Sequence, residues 1–319
     1  MESGPQVSVV LPVHDTPLDF FREAIDSVRA QRDVRWELVI VLDAATEGCA
    51  RAARAMAALD PDRIQVVGHV GGTPRRPSGA RNLGIARTRA PVIGFLDSDD
   101  VFEPHALATR LAALAANPGA AMVFGSTLYW HSWTAKATDR DYVPSLGVEP
   151  ETVYAPPSLV PRFLDGTAVV PCPCSILVTR AAVEAVGGFD ESVRNIYEDQ
   201  AFLARIALRF PLLADGRVLD RYRQHSDSWT ATAGLSSERE ARMYFLDWLE
   251  KEIAAAGVSD PTLRRAVTRE RWKLRHPHLA RLIRLVRRVP RRLAATARPG
   301  TSGQRHAESS GANHTRSAS

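Results

Sequence analysis

Three short apolar runs, each followed by a stretch that breaks or changes periodicity, constrain the fold of this chain more than any single residue. Val7 to Val13 reads VSVVLPV, Trp36 to Leu42 reads WELVIVL and Arg63 to Gly68 reads RIQVVG. Continuous runs rich in β-branched residues are strands covered on both faces. After the first run, Pro17 opens a segment to Gln31 in which Phe20, Phe21, Ile25 and Val28 recur at helical spacing. After the second, Thr46 is placed to cap an Ala/Arg-rich helix reaching Leu59. Strands alternating with helices of ten or more residues mean βαβ units, parallel pairing and right-handed crossovers. The expectation is an α/β half-domain of the nucleotide-binding kind.

A fourth run, Val92 to Leu96, ends abruptly in Asp97-Ser98-Asp99-Asp100. A buried strand carries charge only where it leaves the sheet, so these acids lie at a strand's carboxyl end, where open parallel sheets bind ligands. Acids this close repel one another unless a cation joins them. Hard oxygen ligands suit Mg²⁺ or Mn²⁺, which commonly take nucleotide phosphates as further ligands. The same residues also read as the start of a helix, since Ser98, Asp99 and Asp100 are good N-caps and Glu103 to Ala116 has helical character. The acids alone leave both readings open.

Between the third and fourth runs, HVGGTPRRPSGARNLGIART is broken by Gly and Pro until a short helix begins near Ser78. Arg75, Arg76 and Arg81 bring cations to a Gly-rich turn entering a helix, an arrangement that can approach phosphates, while Arg75 and Arg76 fit a flexible solvated loop equally well. The segment has neither a G-x-G-x-x-G nor a Walker pattern, which weakens dehydrogenase and P-loop readings. With 45% hydrophobic residues the chain builds a full core, and its net charge of +5 is unevenly placed, which favours a local anionic partner. No apolar run reaches membrane-spanning length and MESGPQVSVV lacks signal-peptide character, so a cytoplasmic protein is expected. Cys49, Cys172 and Cys174 match neither a disulfide framework nor a zinc pattern.

VSVVLPVHD, WELVIVLDAAT, SGARNLGIA and VIGFLDSDD, in this order and spacing, resemble the nucleotide-binding half of a family 2 glycosyltransferase of the GT-A fold. The resemblance covers about residues 7 to 230. It implies a mostly parallel central sheet flanked by helices, with a nucleotide-binding half at 5–125 and an acceptor half at 126–235. It also implies an inverting, metal-dependent transfer from a nucleoside-diphosphate sugar to a hydroxyl of a glycan or lipid-linked acceptor. Asp97-Ser98-Asp99 matches the family's D-x-D motif, so Asp97, Asp99 and Asp100, with His225 near the domain's end, are the implied metal ligands for Mn²⁺ or Mg²⁺. GGFDES followed by YEDQAFLARI is similar to the second signature, whose final acid, here Asp199, is the implied catalytic base, with Glu198 beside it. Pro12, His14, Asp15, Asp43, Arg75, Arg81, Asn82, Asp97 and Ser98 are the implied donor-binding residues. Two departures stand out. The second strand ends Leu42-Asp43-Ala44-Ala45-Thr46, with one acid where the family commonly has two, and the first ends Pro12-Val13-His14-Asp15 where the family usually has Pro-x-Tyr-Asn.

Trp130, His131, Trp133 and Tyr142, in an irregular stretch from Ser126 to Pro161, offer flat faces for sugar stacking or fill loop cores. Residues 236–295 form a helical extension whose part 271–292 is basic and acid-free, with Leu279, Leu282, Ile283, Val286 and Val289 at helical spacing. Such a segment can lie on an anionic membrane surface, giving a peripheral enzyme at the inner face of the plasma membrane, or it can pack on the domain. Residues 296–319 have the composition of a disordered tail. Competing classes are a nucleotidyltransferase, which would show a glycine- and lysine-bearing phosphate loop, and a noncatalytic sugar-nucleotide-binding protein, which would lack Asp199. No nucleic-acid motif accompanies the basic segment, so no nucleic-acid partner is expected.

Overall fold

The computed structural model describes residues 4–69, 75–134, 138–193, 196–225 and 235–281. The alternating pattern is realised as β1 (Val7–Val13), α1 (Leu18–Arg29), β2 (Trp36–Leu42), α2 (Glu47–Leu59), β3 (Ile64–Gly68), α3 (Arg76–Ile85) and β4 (Val92–Phe95). Strand β1 lies between β2 and β4, and β3 lies outside β2, all parallel. Thr46 caps α2 by accepting the Cys49 backbone N–H at 3.4 Å.

The second half follows as β5 (Val101–Phe102), α4 (Ala106–Ala116), β6 (Met122–Trp130), β7 (Thr152–Tyr154), α5 (Val160–Asp165), β8 (Ile176–Thr179), α6 (Arg180–Val186), α7 (Glu198–Arg209) and β9 (Leu212–Arg223). The nine strands form one sheet in the order β3-β2-β1-β4-β8-β6-β9-β5, with β7 also on β9. The sheet is mixed where a mostly parallel one is expected, because β8 enters antiparallel between β4 and β6. Two reversals cancel, so β6 again runs with β4, and β9 pairs parallel with β6. The carboxyl ends of β1, β2, β4, β6 and β9 therefore share one edge of the sheet. Strand β6 also continues six residues beyond Phe124, past two register shifts, so part of the irregular stretch is sheet that delivers Trp130 to this edge.

Helices cover both faces. Phe21, Ile25 and Val28 of α1 and Leu107 and Leu114 of α4 are buried with Val9, Leu11 and Leu38. On the other face, Val10, Val39, Phe95 and Phe124 meet α3, α6 and α7. Two further helices, α8 (Leu235–Ala255) and α9 (Pro261–Arg275), send Phe245, Leu246, Leu249, Leu263 and Val267 into the same core as α7. One compact unit spans Met1–Leu274 and a second Arg275–Ser319. Arg271 reaches Asp247 Oδ1 at 2.6 Å and Glu250 Oε2 at 2.8 Å on α8. Leu282, Ile283, Val286 and Val289, and the tail at 296–319, lie outside the described residues. No described helix is long and apolar enough to cross a membrane.

Helix α3 approaches the sheet closely at Gly84, where a Cβ would collide with Val10 Cγ1 and come to 3.1 Å from Val41 Cγ2. Gly84→Ala is expected to cost about 1–3 kcal/mol by overpacking. A urea melt should show a lower midpoint with an unchanged slope; an unchanged midpoint would mean that the helix shifts freely.

Candidate active site

The acids that follow β4 do not start a helix. The Asp100 N–H donates to the Asp97 carbonyl at 3.1 Å, closing a turn that runs straight into β5. Val101 and Phe102 pair antiparallel with Arg221 and Asp220 of β9. Helix α4 begins only at Ala106, with His105 at its N-cap position and no side-chain cap. The capping explanation for the acid cluster is thereby removed. The acids occupy a strand-to-strand turn on the common carboxyl edge.

Their side chains diverge. Asp97 Oδ1 accepts Arg81 Nη2 at 2.6 Å, and Arg81 Nη1 donates to Glu198 Oε1 at 2.7 Å. Glu198 Oε2 accepts the Ser78 hydroxyl at 3.0 Å. Arg81 is 4% exposed, and although burial disfavours its charge, Asp97 and Glu198 raise its pKa above the usual value. It thus ties the turn after β4 to the first residue of α7. Asp100 is 1% exposed, with Oδ1 accepting the Arg223 backbone N–H at 3.0 Å and Oδ2 without a hydrogen-bond partner among the described residues. Burial, then the charges of Asp99 and Asp97, push the Asp100 carboxyl well above the usual carboxylate range. Asp99 faces His225, whose Nε2 lies 3.0 Å from Oδ2.

Asp199 follows Glu198 in the first turn of α7 and accepts the Gln200 N–H at 2.7 Å. Burial, followed by the charge of Glu198, pushes its carboxyl up to about 7, against the opposing pull of Arg81. A carboxylate with that pKa is matched to proton abstraction near neutral pH.

The other predicted residues distribute as follows. His14 and Asp15 are exposed just beyond β1, and His14 Nδ1 lies 2.5 Å from the Asp43 carbonyl oxygen. Asp43, buried at the end of β2, accepts the Arg75 backbone N–H at 2.7 Å, and Ala44 after it has φ 56°, a left-handed conformation that favours glycine. Ser98 Oγ is 2.6 Å from Thr16 Oγ1, joining the turns after β4 and β1. Pro12 sits within β1. The exposed Arg75 side chain lies 3.8 Å from Glu191. Asn82 points elsewhere: its side chain accepts the Phe189 N–H and donates to the Phe189 carbonyl and Glu191, fixing the turn after α6. Of the loop aromatics, Trp130 and Trp133 pack around Arg223, whereas Tyr142 stacks on Tyr129 and His131.

The residues fit a divalent cation in a particular way. No group of three or more His, Cys, Asp or Glu side chains among the described residues forms a self-contained metal cage. Asp99 and His225 offer an oxygen and a nitrogen donor side by side, and the carboxyl of the adjoining residue Asp100 has an unpartnered oxygen. Mg²⁺ and Mn²⁺ sites of nucleotide enzymes use few protein ligands and complete the shell with water and substrate phosphates.

A mixed sheet with acids beyond its fourth strand and a carboxylate pair at the start of α7 matches the fold of GT-A glycosyltransferases. The chain belongs to glycosyltransferase family 2: the model of Glycosyl transferase family 2 matches residues 8–187. Among curated relatives, the O-antigen biosynthesis protein RfbC of Myxococcus xanthus is 37% identical over 122 residues, 38% of this chain and 9% of that protein. The putative glycosyltransferase EpsE of Bacillus subtilis (strain 168) is 32% identical over 114 residues, 36% of this chain and 40% of that protein. The chain spans less than half the length of these relatives. Among solved structures, S. aureus TarS 1-349 in complex with UDP superposes with a TM-score of 0.62 at 16% identity, covering 84% of this chain and 71% of that one. The mannosyltransferase PcManGT from Pyrobaculum calidifontis in complex with GDP-Man and Mn²⁺ gives 0.57 at 18% identity, covering 86% and 70%. These likenesses show the fold.

Proposed function

We propose that the protein is an inverting glycosyltransferase that moves a sugar from a nucleoside-diphosphate sugar to a hydroxyl of a glycan or lipid-linked acceptor. The observation that carries this reading is the two-armed Arg81 bridge, which joins Asp97 on the donor side to Glu198, the neighbour of Asp199. One rigid link thus holds both ends of a displacement reaction on a single edge. Asp43, with His14 against its carbonyl, offers the nucleoside subsite, and Asp97 and Ser98 close it from the β4 side. Mn²⁺ or Mg²⁺ held by Asp99 and His225 would act as a Lewis acid on the leaving diphosphate.

Asp199 supplies the other half of the chemistry. Its carboxylate takes the proton of the acceptor hydroxyl as that oxygen bonds to the anomeric carbon and the bond to the phosphate oxygen breaks on the opposite face. Configuration inverts, and no side chain forms a glycosyl intermediate. Glu198 pairs with Arg81 and stands beside Asp199, whose pKa its charge helps to raise. The likeness to the O-antigen biosynthesis protein RfbC favours a polysaccharide acceptor. A peripheral position on an anionic membrane through 271–292 would suit a lipid-linked acceptor; failure of the full chain to sediment with phosphatidylglycerol vesicles would remove that part.

The donor is tested by thermal melts with UDP-, GDP- and dTDP-sugars, each with and without Mn²⁺. One nucleotide class should raise the melting temperature, and Mn²⁺ should enlarge the rise. No stabilisation by any of them would sink the proposal.

A further inference from the structure

Arg223, near the end of β9, is 2% exposed, and its polar groups are spent on the turn after β4 and on α1. Its backbone N–H donates to Asp100 Oδ1 at 3.0 Å, its Nε to the Asp99 carbonyl oxygen at 2.8 Å, and its Nη2 to Glu23 Oε2 of α1 at 2.6 Å. The guanidinium carbon lies 4.2 Å from the Phe20 ring centroid and 4.4 Å from that of Trp130, with Trp133 at 5.6 Å. Phe20 in turn meets the His225 ring edge-on at 5.5 Å and Trp133 at 5.0 Å.

The choice of acceptors matters more than their number. An arginine this close to an Asp-Asp pair ordinarily takes a carboxylate in a two-pronged bond, which would neutralise it. Here the fork takes the main-chain carbonyl of Asp99 and the outlying carboxylate of Glu23, which is 47% exposed. The backbone of Asp99 is pinned while its carboxylate stays available to His225 and to a cation. The rings on either side hold the guanidinium plane, so the direction of its donors is fixed. From the same segment, His225 comes down beside Asp99, two residues beyond the arginine.

We infer that Arg223 is a positioning residue that sets the Asp99–His225 pair at the separation needed to hold a divalent cation, without itself touching cation or donor. The inference rests on the metal reading given above. Partners that orient metal ligands typically alter affinity by roughly 10- to 100-fold when removed. A lysine keeps the charge but has no planar fork, so it cannot serve carbonyl and carboxylate together.

The test is Mn²⁺ binding to the full chain without nucleotide, read from the electron paramagnetic resonance signal of free Mn²⁺, together with the Mn²⁺ dependence of donor hydrolysis. Arg223→Gln and Arg223→Lys should each bind Mn²⁺ roughly 10- to 100-fold more weakly, and raising Mn²⁺ should restore most of the hydrolysis rate. A merely structural role would lower the rate at every Mn²⁺ concentration. Glu23→Gln, a change at an exposed side chain, removes the anchor of Nη2 and should weaken Mn²⁺ binding by about threefold, a fraction of that range, even if the Arg223 variants do not fold. If wild type and the folded variants bind Mn²⁺ equally, the positioning role is overturned and the metal reading stands. If wild type binds no Mn²⁺, both fall together.

Discussion

Asp199→Asn is expected to slow sugar transfer by about two to four orders of magnitude, the usual worth of a general base, while leaving donor binding near its wild-type strength. The asparagine keeps the shape of the side chain at the start of α7 but cannot accept the acceptor's proton. Glu198→Gln is the control. It keeps the base but weakens the grip of Arg81, which donates to Glu198 at 2.7 Å, so its loss should appear partly in donor affinity. Near-normal turnover in Asp199→Asn with a dead Glu198→Gln would exchange the two roles. The pH dependence follows from the same residue. With the Asp199 carboxyl at about 7, kcat/KM of the wild type should climb to a plateau above about pH 7. Stability runs the other way. The folded protein holds this proton more tightly than the unfolded chain, so the contribution is fully present below about pH 4 and is lost as pH rises through about 7. Asp199→Asn is neutral throughout and should therefore melt higher than wild type at pH 8 and alike at pH 4, a gain that an aspartate with an ordinary pKa would not give.

Asp99→Asn is expected to abolish detectable transfer and to remove the metal-dependent part of donor binding, because an amide is a neutral and poorer ligand for a hard cation. Asp97→Asn should behave differently. Asp97 gives Oδ1 to Arg81, so its replacement loosens the bridge to Glu198 as well as the donor subsite. Asp100→Asn is a third case, since Asp100 is buried and serves the Arg223 backbone, and its loss should show first as lowered stability.

How much of this was legible from the residues depends on distance along the chain. The first four strands could be read because each is a continuous apolar run followed by a recognisable break, and the acids after β4 because charge interrupts a buried run. The direction of β8 could not, since the four residues ILVT fit a parallel or antiparallel place equally well. Asn82 belongs to the same motif as Arg81, yet neighbours on a helix point about 100° apart. Arg81 faces the site and Asn82 the turn at Phe189. Arg223 was hidden for a topological reason. Its partners Asp100, Asp99 and Glu23 lie 123, 124 and 200 residues away, and only the placement of β9 between β6 and β5 brings them together. The buried pair of Arg110 on α4 and Asp220 on β9 is of the same kind. Trp130 and Trp133 read as sugar-stacking or loop-filling residues, and the strand extension of β6 turns them onto Arg223.

The central claim is that Asp99 and His225 bind the donor's diphosphate end through a divalent cation while Asp199 acts only on the acceptor. Calorimetric titration of the stabilising nucleotide sugar into wild type, Asp99→Asn and Asp199→Asn, each with and without Mn²⁺, tests it directly. Binding should be strengthened by Mn²⁺ in wild type and in Asp199→Asn alike, and should be weak and indifferent to Mn²⁺ in Asp99→Asn. Equal, metal-independent binding by wild type and Asp99→Asn would contradict it.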